Sequence, residues 1–174
     1  MNLQDIRELV DYNFWTNRRL LAMTAQVTAD QLNAPSSHSF GTLQRTLVHT
    51  LDTEWGWRVF MQGGGFTPPL EAKDFPTVES IQTRWHQEEN DWWAFIDTLT
   101  DADLNRKVSS KGNNGMVQEW VLWHLIYHVI NHGGQHRSEV ANLLTVYGQS
   151  PGEIDFTVYL SERKAANATY LTRA

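Results

Sequence analysis

Four histidines spaced four apart, His124, His128, His132 and His136, lie in one apolar-periodic segment of this 174-residue chain. Steps of four keep side chains near one face of an α-helix, a turn above each other. At 100° per residue, His132 falls within the stripe of Val121, Leu125, Val129, Val140 and Leu143, with His136 beside it. That stripe is expected to face the core. A buried imidazole needs partners for its ring nitrogens, and a metal ion satisfies two rings at once. At i and i+4 the two Cβ atoms are roughly 6 Å apart. Both rings can then reach one ion at about 2.0–2.1 Å per zinc–nitrogen bond. Asn131 and Gln135 flank the pair and can orient the rings. Gly133 and Gly134 lie between, and each costs about 1 kcal/mol relative to alanine in a helix. They imply a demand for space, either for a neighbouring helix or for a ligand of the metal.

HxxxH alone is a weak signal, and a third ligand must come from elsewhere. The candidates are His49, His86, His124, His128 and nearby carboxylates. His49, in LVHTLDTEW, sits off the centre of the stripe Leu43, Leu47, Leu51, Trp55, so periodicity makes it a flank residue. Asp52 is a candidate outer carboxylate, and Gly56 leaves space on that side. His128 lies nearly on the last stripe and reads as a core polar group or an alternative ligand. His124 reads as a margin residue, and His86, after Trp85 on a charged helix, as a solvated one. Glu139 is open between a hydrogen-bond partner of a ligand, a base for bound water and a salt-bridge residue.

Four long segments with helical period must position these groups. They cover residues 3–27, 42–62, 78–99 and 117–147. Asn2 and Thr77 are N-cap residues, Gly63–Gly65 end the second segment, and Gly148 with Pro151 closes the fourth. A short helix is expected near 155–163. KGNNGM reads as a turn that could join a small β-hairpin. Four amphipathic segments predict an all-α four-helix bundle. The connections are longer than up-and-down neighbours need, so at least one is expected to cross the bundle. Length predicts one domain over residues 1–165, followed by a tail at 166–174.

Composition narrows the function. There is no cysteine, so thiolate ligands, disulfides and a cysteine nucleophile are excluded. The net charge is −6, and no basic run offers a grip on nucleic acid. No stretch reaches the roughly 20 apolar residues of a membrane span, and the N-terminus lacks a secretory pattern. A cytoplasmic protein is expected. The eight tryptophans serve helix packing, a dry pocket wall, or both.

HVINHGGQHR at 128–137, preceded by EWVLWHLIY, and SFGTLQRTLVHTLDTEWGW at 39–57 together resemble the DinB/YfiT-like family of proteins regarded as metalloenzymes. YNFWTNRRL and PGEIDFTVYL fit the same layout. The resemblance spans nearly the whole chain. It implies a four-helix bundle with long crossover loops, a divalent metal such as zinc or nickel, and three histidine ligands, here His49, His132 and His136. It also implies a homodimer and, by analogy with some relatives, thiol-dependent transfer using low-molecular-weight thiols. One departure is QHRSE at 135–139, where the family often has HHRGQ. That leaves the ligands in place and unsettles what surrounds them.

The leading expectation is a metal-dependent enzyme of hydrolase or thiol S-transferase type, acting on a small-molecule substrate at an open coordination position. The alternatives are a non-catalytic, stress-related bundle that binds metal or a small ligand, and a metal-free bundle whose acidic surface serves a partner.

Overall fold

The computed structural model describes residues 1–65, 67–111 and 117–171. Among them the four long helices are α1 (Leu3–Thr24), α3 (Leu43–Met61), α4 (Val78–Asp97) and α5 (Leu122–Val146). The short α2 (Ala29–Asn33) lies between the first two, and α6 (Phe156–Leu171) follows the last. The starts follow the sequence's capping chemistry. Asn2 accepts from the Asp5 amide while the Asp5 side chain accepts from the Asn2 amide, and Thr77 and Ser80 do the same for α4. Thr42 caps α3. α5 ends at Gly148, whose φ of 77° only glycine adopts freely. There the Gln149 amide returns to the Leu144 carbonyl.

Cross-helix bonds fix the topology. Arg7 pairs with Asp97, and Gln82 donates to the Leu21 carbonyl, so α1 and α4 run antiparallel. Glu54 meets Trp85 and Arg58 meets Glu88, so α3 and α4 run parallel. His49 faces His132 and His136 while Trp57 faces His128, so α3 and α5 run antiparallel. The order is up-down-down-up, with α5 packed between α1 and α3 and α4 packed between the same two. Two parallel consecutive helices require a connection that runs back along the bundle, and residues 62–77 do this. Hydrogen bonds hold the middle of that strap to α3. The Leu70 amide donates to Asp52, and Gln44 donates to the carbonyls of Ala72 and Phe75.

The structure corrects several expectations from the periodicity. The fourth helix begins at Leu122, because residues Val117–Val121 form a strand, β2, paired antiparallel with β1 (Lys107–Lys111). Residues 112–116, which carry most of the expected turn, lie outside the described residues. Residues 28–41 hold the short α2, whose Thr28–Gln31 capping box marks its start. α6 runs on past residue 163 to Leu171. On α3 the buried line is Leu43, Leu47, Leu51, Glu54, Arg58, Met61, and Trp55 and Val59 are only half-buried. Strict steps of four rotate about 40° per turn away from a face, and here charged residues with buried partners continue the line. No helix among the described residues is long and apolar enough to cross a membrane.

Candidate metal centre

α5 turns its helical face differently from the stripe of sequence analysis. Its buried line is Leu122, Ile126, Val129, Gly133, Val140 and Leu144, together with Arg137. Ile126, Ile130 and Leu144, absent from that stripe, draw the core face away from His132. His132 therefore flanks the core and is half-buried, while His136 is buried at 4% exposure. His49 also flanks its helix and is half-buried. Two flanks that face each other make a seam, and the three rings meet there, between α3 and α5 and to one side of the bundle axis. The wheel reading of His49 as a flank residue holds, and the same geometry brings it to the other two.

The Nε2 atom of His132 lies 3.4 Å from that of His49 and 3.3 Å from that of His136. The candidate ligand atoms of the three rings all lie within 4.8 Å of one another. Bonds of about 2.0–2.1 Å in tetrahedral directions separate neighbouring nitrogens by about 3.3–3.4 Å. The two spacings from His132 match those of neighbouring ligands on one ion. A shared proton could satisfy only one pair of the three. Nδ1 of His132 is buried and has no hydrogen-bond partner, which leaves that ring wholly dependent on what its Nε2 meets.

The surroundings favour the neutral forms of His49 and His132. His49 is lowered from 6.5 to about 4 by burial first, then by His136 and His132, with Glu139 acting in the opposite sense. His132 is lowered by burial, then by His136, His128 and Arg137. Nδ1 of His136 lies 2.8 Å from a carboxylate oxygen of Glu139, whose other oxygen accepts from the Ser39 hydroxyl at 2.6 Å. Burial pushes the Glu139 carboxyl up, but the Ser39 and His136 bonds outweigh this and hold it below the usual carboxylate range. A ring that donates from Nδ1 presents a bare Nε2 lone pair. Glu139 thus fixes the orientation of the His136 ring, which fits the hydrogen-bond and the salt-bridge readings its sequence position left open. Phe40 covers the site, stacked on His49 at 3.8 Å between ring centres and edge-on to His136.

The other candidates stand outside the three-ring cluster, although the His128 ring centre is 5.9 Å from that of His132. His128 is exposed and meets Trp57 edge-on, so it is not the core polar group its place near the stripe suggested. His124 and His86 are exposed. The Asp52 carboxylate binds the Leu70 amide, which makes it a tether for the strap. Burial raises its pKa, against that bond.

A model of the DinB family matches residues 1–167. The chain belongs to the DinB family. It is 21% identical over 172 residues to Protein DinB of Bacillus subtilis (strain 168), across 92% of this chain and 96% of that protein. The match covers nearly the whole chain. The network beneath the seam is described by this chain's own residues.

That network was not read from the sequence. Glu54 is fully buried, and its carboxylate accepts from Asn13 at 2.7 Å, Asn17 at 2.8 Å and Trp85 at 2.7 Å. Burial raises its pKa and these donors oppose the rise. The Asn13 carbonyl oxygen accepts in turn from the buried Arg137 guanidinium, so Asn13 bridges cation and anion. Arg137 also donates to the Ile130 carbonyl at 3.0 Å. A Cβ on Gly133 would lie 2.5 Å from that guanidinium. The space that Gly133 provides is taken first by Arg137, with Asn13 of the neighbouring α1 next at 3.5 Å, so the use expected for a neighbouring helix holds in part. A signal was present: Asn13, Asn17 and Glu54 sit among the apolar residues that mark the core faces of α1 and α3. Ser39 and Phe40 carried no comparable signal, because loop residues have no period.

Proposed function

We propose that this protein binds one divalent metal ion through His49, His132 and His136 and uses it as a metal-dependent enzyme. The convergence of three Nε2 atoms at spacings of 3.3 and 3.4 Å carries this reading. Three neutral imidazoles leave an open coordination position, as catalytic sites do. An ion bound there supplies a Lewis acid that acidifies a water or thiol at neutral pH. The chain's own residues do the rest. Glu139 holds the His136 ring and fixes its tautomer, with Ser39 holding Glu139. Phe40 walls His49 from water on one face. A cleft of about 490 Å³ lined by Phe40, His49, Asp52 and the strap residues Pro69–Lys73 gives a small molecule access.

Zinc or nickel suits imidazole donors. The reaction is hydrolysis or thiol transfer, and the half-exposed seam supports access for either. Homodimerisation and a cytoplasmic location belong to the same proposal. Turnover tests it. Metal-loaded protein should convert a thiol-acceptor or ester substrate, and His132→Ala should not. Ligand binding without conversion across a broad panel would favour a binding bundle.

A further inference from the structure

We propose that Arg45 is the anchor for an anionic group on the molecule that enters the cleft beside the histidines, so that the substrate class is a small molecule with a carboxylate or similar anion. The inference rests on the metal centre proposed above and adds to it. Nearly every arginine of this acidic chain is committed. Among the described residues, Arg7, Arg18, Arg19, Arg58, Arg84 and Arg163 pair with carboxylates. Arg106 donates to the Met61 carbonyl and Arg137 to Asn13. Arg45 alone of these makes no ion pair and no side-chain hydrogen bond.

Its position gives that isolation a use. Arg45 lies one turn before His49 on α3 and lines the same cleft. The other charges of the cleft are occupied. Asp52 accepts from the Leu70 amide, and Lys73 pairs with Glu71. An entering molecule therefore meets one unpaired charge, a guanidinium whose planar fork suits a carboxylate. An anion at Arg45 with its reactive end at the histidines would lie along the cleft under the strap.

The test uses tag-free protein loaded with cobalt(II), whose absorption reports thiolate ligation. Mercaptocarboxylates of increasing chain length are titrated against mercaptoalcohols of equal length. At one or more lengths the carboxylate should bind roughly fivefold more tightly, a preference that weakens with salt. Arg45→Gln should remove the preference while leaving mercaptoalcohol affinity unchanged. Lys107→Gln, which removes the same charge from the hairpin, should keep it. Equal affinities at every length, or a preference that survives Arg45→Gln, overturns the anchor and leaves the metal centre standing. Cobalt uptake with no thiol ligation of either kind overturns the proposal that Arg45 seats an anion whose other end reaches the histidines, and no cobalt uptake overturns the centre as well.

Discussion

At the scale of single residues, the account makes unequal demands on seven histidines. Three converge, His86, His124 and His128 are exposed, and His38 is half-buried in the loop before α3. Glu139→Gln keeps the shape of the residue beside His136 but removes the carboxylate that favours its Nδ1 proton. Metal affinity should fall about 10- to 100-fold with the fold intact, as isothermal titration would show. The low His49 pKa sets a pH dependence for the metal-free protein. Above pH 6.5 the ring is neutral in the folded and unfolded chain, so it adds no slope. Between 6.5 and about 4 the unfolded chain takes up a proton that the folded chain refuses. Stability therefore falls as pH falls through this window, and the loss is complete below the folded value. Urea midpoints at pH 7 and pH 5 should differ less in His49→Ala than in the parent. An unchanged difference would show that His49 is not held neutral by its surroundings.

At the scale of elements, the helices were legible because caps and apolar periods are local. Asn2, Thr77 and Gly148 mark ends that the structure keeps. What periodicity could not supply was the rotation of each helix about its axis. That depends on which polar residues find buried partners, and Glu54 and Arg137 are joined through Asn13, on a third helix. Once these are assigned to the core, His49 and His132 both turn to the seam. The place of His49 in the three-ring cluster was legible only through the paired motifs, since nothing in one helix's pattern says which flank meets another. The Arg137 cradle gives a test at this scale. Alanine at a helical glycine usually gains about 1 kcal/mol. Gly133→Ala should instead destabilise the protein by about 1–3 kcal/mol, because its methyl displaces a buried guanidinium. Chemical denaturation measures the sign directly.

At the scale of the whole molecule, the metal would tie together two helices that are distant in sequence, and Arg137, Asn13 and Glu54 tie α5, α1 and α3 beneath it. An ion that binds only the folded chain stabilises it by mass action, about 2.7 kcal/mol at a hundredfold excess over Kd. For a chain of this length that corresponds to a rise in Tm of roughly 5–10 °C. Calorimetry with and without zinc should show the rise in the parent and none in His132→Ala. Sedimentation velocity of the metal-loaded protein should give a homodimer, and a monomer at micromolar concentration would remove that part of the proposal.

The most direct measurement is the metal content of tag-free protein, supplemented with zinc or nickel and then desalted, beside His49→Ala, His132→Ala, His136→Ala and His86→Ala. The account predicts about one divalent ion per chain in the parent and in His86→Ala, and less than about a tenth in each of the other three. A parent that retains no metal, or a His49→Ala protein that retains as much as the parent, would contradict it.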